Sequence, residues 1–129
     1  MLQNRDNLTT QEEIINLGYQ KISKDALREM HADKTLMGDF FYNGEWRIYM
    51  CYTKTDGTIE GTNDLGSANT GRWQVNDDGS FSVSWEDGWE AWTGFAYAVD
   101  GNIKFYDAES SAWRTTYTNV EDGKQPFNL

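Results

Sequence analysis

Five dipeptides punctuate the chain from residue 43 to residue 101: Asn43-Gly44, Asp56-Gly57, Asp78-Gly79, Asp87-Gly88 and Asp100-Gly101. Asn-Gly and Asp-Gly suit the two-residue type I′ turn, which needs positive φ at both positions and matches the twist of the strands it joins. Short runs rich in aromatic and β-branched residues lie between these turns, and a Gly/Asn/Ser-rich loop covers 63–71. The spacing predicts strands over 36–42, 45–55, 58–62, 70–77, 80–86, 89–99, 102–107 and 112–119. Nearly every strand joins the next through a tight turn, which makes an antiparallel meander. Eight strands in up-and-down order close most economically into a barrel.

The segment before them has a different period. Thr10-Gln11-Glu12-Glu13 fits a capping box, with Thr10 as N-cap and Glu13 reaching back to it. Ile14, Ile15 and Leu17 supply a short apolar face, and Gly18 ends or bends the helix. Ser23 suits the cap of a second short helix from Lys24 to about Ala32. Helices this short are unstable alone, so both must pack on the barrel, across one end or one side. The whole chain, 1–129, reads as a single domain: a helical lead-in over 9–33, a barrel over 34–120 and a loose tail over 121–129.

Composition excludes several roles. With 21 acidic residues against 11 basic ones the formal net charge is -10, a field that repels nucleic-acid backbones and anionic membrane surfaces. Six Trp, seven Tyr and six Phe in 129 residues argue for a folded chain with an aromatic core or binding surface. The first eight residues contain no apolar h-region, so no signal peptide is expected and the chain reads as cytoplasmic as written; an exported mature form is the alternative. Cys51 is the one cysteine and His31 the one histidine. No disulfide, metal site or cofactor is therefore expected. His31, near a helix end, reads as a surface or capping residue, and Cys51 as a small semi-buried strand residue.

Two-residue turns fix register and hence faces. With Asp78-Gly79 and Asp87-Gly88 as such turns, Arg72, Gln74, Phe81, Val83, Trp85, Glu90 and Trp92 share one face. Carrying the register through Asp100-Gly101 adds Gly94, Ala96, Ala98, Ile103 and Phe105. In the first hairpins the more apolar face holds Met37, Phe41, Trp46, Ile48, Met50, Tyr52 and Ile59. These sets form the expected interior. Within it, Arg72 and Glu90 read either as a mutual ion pair or as anchors for a ligand's polar group. The expected ligand-binding residues are Trp46, Met50, Arg72, Trp85, Glu90, Trp92 and Phe105. Trp73, Trp89, Phe95, Tyr97 and Tyr106 fall on the opposite face, covered by the N-terminal helices or, second, in a homodimer contact, with an open sugar-stacking surface as the remaining alternative.

Two resemblances join these motifs. Ser23-Lys24-Asp25-Ala26-Leu27-Arg28, Lys34-Thr35-Leu36-Met37-Gly38, Asp56-Gly57-Thr58 and Gly71-Arg72-Trp73-Gln74-Val75 resemble, in layout, a family of small uncharacterised bacterial β-proteins. Tyr42-Asn43-Gly44-Glu45-Trp46, Lys54-Thr55-Asp56-Gly57-Thr58-Ile59, Gly71-Arg72-Trp73 and Val83-Ser84-Trp85-Glu86-Asp87 resemble the phenolic acid decarboxylases, which cleave CO2 from hydroxycinnamic acids without a cofactor. That resemblance implies Arg72 as the substrate-gripping residue, Asp87 at the acid position and Tyr42 as one of two strand tyrosines, with Phe40 in place of the other. Both imply a lipocalin/calycin-like barrel. The expectation is small-molecule binding in the barrel, the ligand being aromatic or apolar with an acidic or polar group. The alternatives are a cofactor-independent lyase or isomerase working through Tyr42, Arg72, Asp87 and Glu90, and an interaction module that dimerises through outer aromatics.

Overall fold

The computed structural model describes residues 9–129; residues 1–8, over which no signal peptide is expected, lie outside the described residues. It is a closed antiparallel barrel of eight strands in up-and-down order. The strands are β1 (Lys34–Tyr42), β2 (Glu45–Thr53), β3 (Thr58–Asn63), β4 (Ala68–Val75), β5 (Phe81–Trp85), β6 (Trp92–Val99), β7 (Asn102–Asp107) and β8 (Trp113–Asp122). The ring closes where Lys34–Asp39 of β1 pair with Thr116–Asp122 of β8, across one bulge.

Helix α1 (Gln11–Asn16) carries the expected capping box: the Thr10 hydroxyl accepts from the Glu13 amide, and the Glu13 side chain accepts from the Thr10 amide. Its buried residue, Ile14, packs on Tyr97, Val99 and Tyr106 on the outside of β6 and β7. Phe95, Tyr97 and Tyr106 are thus outward aromatics under helix cover, as expected. Helix α2 (Lys24–Met30), capped by Ser23, packs on β4 and brings Leu27 into the barrel core. The lead-in therefore covers one side with α1 and plugs one end with α2.

Turn lengths decide which face is inside. Asn43-Gly44 and Asp100-Gly101 are two-residue turns, closing the Tyr42–Glu45 and Val99–Asn102 pairs with positive φ at all four turn positions. Asp56-Gly57 and Asp78-Gly79 are not. There the loops hold three residues, Thr55-Asp56-Gly57 and Asp77-Asp78-Gly79, because Thr53 pairs with Ile59 and Val75 with Phe81, with Lys54–Thr58 and Asn76–Ser80 as the closing hydrogen-bonded positions. A turn followed by a left-handed glycine produces this geometry, and Gly57 and Gly79 sit at φ 90° and 89°. Each extra residue inverts the partner strand's faces.

The expected interior is corrected accordingly. Ile59 is inside as expected, but its β2 companions are Tyr49, Cys51 and Thr53; Met37, Phe41, Trp46, Ile48, Met50 and Tyr52 face outward. On β4, Gly71, Trp73 and Val75 face in, so Arg72 and Gln74 are exposed on the outer wall and Trp73 belongs to the core. Phe81, Val83, Trp85, Trp92, Gly94, Ala96, Ile103 and Phe105 face inward as expected. The strand expected over 89–99 begins at Trp92, and residues 86–91 form a loop. The segment expected to be a loose tail is held to the wall: Thr35 Oγ1 donates to the Gly123 carbonyl at 2.7 Å and accepts from the Gln125 amide, and Lys124 pairs with Glu60 at 3.1 Å.

Candidate functional site at the tryptophan-lined end of the barrel

The α2 end is filled. His31 caps α2 and is fully buried, its ring stacked on Phe81 with centroids 4.1 Å apart. Its Nδ1 lies 2.7 Å from the Leu27 carbonyl and its Nε2 lies 2.8 Å from the Tyr117 hydroxyl. A carbonyl only accepts, so Nδ1 carries the proton and Nε2 accepts from Tyr117. Burial lowers the His31 pKa to about 4, against a smaller opposing effect of the Leu27 carbonyl, which keeps the ring neutral. His31 is thus neither exposed nor charged, contrary to the surface role read from its position. Phe81, Phe105 and Tyr117 complete an aromatic floor with mutual ring contacts.

Above this floor the Tyr49 ring crosses the interior over Gly38, where a Cβ would meet the ring at 2.6 Å. Thr115 Oγ1 donates to the Asp39 carbonyl at 2.6 Å, so the Tyr49 hydroxyl, 2.6 Å from the same oxygen, donates to Thr115. Burial raises the Tyr49 and Tyr117 pKa values well above the usual phenol and lifts the Cys51 thiol to about 12, so all three stay protonated at neutral pH.

The opposite end is lined differently. Three tryptophans gather there, all half-buried: Trp85 at the end of β5, Trp89 in the 86–91 loop and Trp92 at the start of β6. Trp85 and Trp89 meet edge to face at 4.7 Å, and both reach over Gly61 beside Cys51. A side chain at Gly61 would occupy the space they use. Trp92 packs on Phe81 and Phe105 below and carries the Arg114 guanidinium 5.8 Å from its ring centroid. Arg114 in turn is paired with Glu90. On the β2 side Arg47 is on the inward-facing register with Tyr49 and pairs with Glu45 at 2.5 Å. The Arg47 Nε is buried with no hydrogen-bond partner among the described residues.

The 86–91 loop folds over this mouth and is fastened at separate points. The Asn69 side chain donates to the Asp87 carbonyl (3.1 Å) and accepts from the Asp87 amide (3.2 Å). Trp89 Nε1 donates to Ser67 Oγ at 3.1 Å. The Glu90–Arg114 pair closes the far side.

Of the residues expected to bind a ligand, Trp85, Trp92 and Phe105 line the interior together. Trp46 and Met50 lie on the outer wall, where Trp46 meets Phe41 and Trp113. Arg72 is also outside, in a groove of about 740 Å3 with Gln74, Ser82, Ser84 and Thr93. Glu90 is at the mouth, 74% exposed, bonded to Arg114 and not to Arg72. The set expected for a lyase is not assembled: Arg72 and Asp87 line separate grooves, Glu90 is engaged elsewhere, and Tyr42 is exposed at the rim. Nor do Tyr97 and Trp89 offer a free aromatic surface to a second copy. Tyr97 is 2% exposed and accepts a 2.8 Å bond from Gln11, and Trp89 is turned into the mouth. Sequence reading missed Arg47, Trp89 and Arg114; with three-residue loops assigned after Lys54 and Asn76, parity alone places Arg47 inside and Arg72 outside. Among the described residues no group of His, Cys, Asp and Glu side chains has metal-binding geometry, and no helix is long and apolar enough to cross a membrane. No protein-family model, curated protein or solved structure matches this chain.

Proposed function

We propose that this protein binds a small molecule with a flat, apolar body and an acidic group at the tryptophan-lined end of the barrel, beneath the 86–91 loop. One observation carries the reading: two arginines and three tryptophans from five separate chain segments lie at this end, Arg114 over Trp92 and Trp85 against Trp89, while the other end is plugged by α2 and its aromatic floor. Half-buried tryptophans supply stacking faces and arginine forks suit carboxylates, the pairing of an apolar wall with a few convergent polar groups that ligand sites use. Arg47 adds an inward-facing cation with an unused Nε–H. Of the residues expected to bind the ligand, Trp85, Trp92 and Phe105 belong to this reading, Trp46 does not, and Arg47 and Arg114 take the anchoring role expected of Arg72.

The test is a titration with indole-3-acetate, followed by tryptophan fluorescence and calorimetry. Saturable binding at one site, weakened about tenfold or more by Arg47→Met, is the expected result; that loss is the size of one charge-assisted hydrogen bond. Binding that is unaffected by Arg47→Met and by Trp89→Ala, or absent across a panel of aromatic carboxylates, overturns the reading.

A further inference from the structure

Both arginines at the mouth are held by carboxylates that stand mostly in water. Arg114 and Arg47 are withdrawn, with side chains 26% and 29% exposed, whereas Glu90 and Glu45 are 74% and 64% exposed. The asymmetry matters energetically. A solvated carboxylate loses little on leaving an exposed pair, because water replaces most of what the arginine gave it. Arg114 has a second anchor, the face of Trp92, which holds the guanidinium in place when its partner goes. Glu90 also belongs to the 86–91 loop, so its release loosens one of the loop's fastenings.

From this arrangement we infer that Glu90 is a stand-in for the ligand's own acid group: it occupies Arg114 in the empty protein and is displaced when a carboxylate enters over Trp92. The inference rests on the mouth being the binding site, and it assigns the ligand class more narrowly, as an aromatic monocarboxylate whose acid group reaches Arg114. Glu90 is then a specificity-determining residue without any contact to the bound ligand. Its charge sets the threshold that an entering anion must exceed, and a neutral analogue, having nothing to exchange, gains nothing from its removal. The asparagine and tryptophan fastenings, Asn69 to Asp87 and Trp89 to Ser67, keep the loop in register while Glu90 is swung out.

The experiment compares indole-3-acetate with its neutral amide on the wild type, Glu90→Gln and Arg114→Gln, with near-ultraviolet circular dichroism confirming the fold of each. Glu90→Gln is expected to tighten the acid by about threefold, the size of an exposed ion pair released from competition, and to leave the amide unchanged. Arg114→Gln is expected to cut the preference for acid over amide by about tenfold, leaving only the part that Arg47 supplies. Equal affinity of Glu90→Gln and wild type for the acid overturns the inference while leaving the binding site itself standing. Equal tightening of acid and amide also overturns it, since loop loosening alone then accounts for the gain. If the wild type binds neither compound nor any other acid in the aromatic carboxylate panel, the binding reading and this inference fall together.

Discussion

Tyr117 donates its hydroxyl proton to Nε2 of His31 across 2.8 Å, in a part of the barrel where both residues are shut off from water. The bond joins the last strand to the end of α2, 86 residues apart in the chain, and fixes the tautomer of the single histidine.

That histidine makes stability depend on pH in a window of its own. Its folded pKa is about 4 and its unfolded value is near 6.5, so between those pH values the unfolded chain binds a proton that the folded chain refuses. Stability is therefore full above pH 6.5 and falls as pH drops toward 4, by roughly 3 kcal/mol in total. Carboxylates held low by hydrogen bonds, such as Asp56 with Thr58 and Asp78 with Ser80, add their losses from about pH 5 downward. Urea unfolding at pH 7, 6, 5 and 4 is expected to show a loss between pH 7 and 5 in the wild type that is absent in His31→Gln; identical slopes over that range would sink the assignment.

Gly71 is predicted to be far less replaceable than Gly79. A Cβ at Gly71 would overlap the Ser84 carbonyl and crowd the Trp85 Cα at 3.1 Å, backbone atoms that cannot move without parting β4 from β5. Gly79 has nothing within 4 Å and only its φ of 89° at stake. Thermal unfolding should show Gly71→Ala losing about 2–3 kcal/mol through overpacking, and Gly79→Ala about 1 kcal/mol through the left-handed conformation.

Cys51 reports on the loop. Its thiol is buried, with its pKa lifted to about 12, and it lies at Gly61 beneath Trp85 and Trp89. Wild-type protein should react with a chromogenic disulfide at pH 8 only as fast as the loop opens. Trp89→Ala, which removes the cover and the bond to Ser67, should raise that rate about tenfold or more, the factor for roughly 1.4 kcal/mol off the opening cost. An unchanged rate would mean that the thiol is reached by another route.

Arg72→Ala serves as the contrasting case. Its side chain lies on the outer wall and has no ion pair among the described residues. Ligand affinity at the mouth and the unfolding midpoint should both stay within experimental scatter, since surface substitutions of this kind shift stability by less than about 0.5 kcal/mol. A loss of binding comparable to that of Arg47→Met would return the site to the residue the sequence motif favours.

Why the fold was legible and half of the faces were not comes down to two hairpins. The turn dipeptides and the capping box at Thr10 announce themselves locally, and the eight-strand meander follows from them; of the apolar face expected on α1 only Ile14 is buried, while Ile15 and Leu17 are exposed. An Asp-Gly pair, however, serves both a two-residue and a three-residue loop. In the three-residue cases a hydroxyl residue follows the glycine, and the aspartate accepts from both its amide and its hydroxyl: Asp56 from Thr58, Asp78 from Ser80. After Asn43-Gly44 and Asp100-Gly101 stand Glu45 and Asn102 instead. The aspartate-glycine-hydroxyl triplet was thus the available sign, and it separates Arg47 from Arg72 as the inward arginine. The crossing of Tyr49 over Gly38, and the folding of Trp89 into the mouth, had no such sign, because both depend on strands that meet only after the ring has formed.

Ring closure has a kinetic consequence. β1 is hydrogen-bonded to β8, so its outer edge has no partner until a segment some 80 residues downstream arrives. Contacts this distant in sequence are slow to form, because the loop they close must be ordered before it is rewarded. During that interval the β1 edge, with Leu36 and Met37 on its two faces, is a template for a neighbouring chain. A chain interrupted before Thr116 would keep that edge open permanently. Truncation within β8 should therefore turn a self-limited ring into one that polymerises edge to edge.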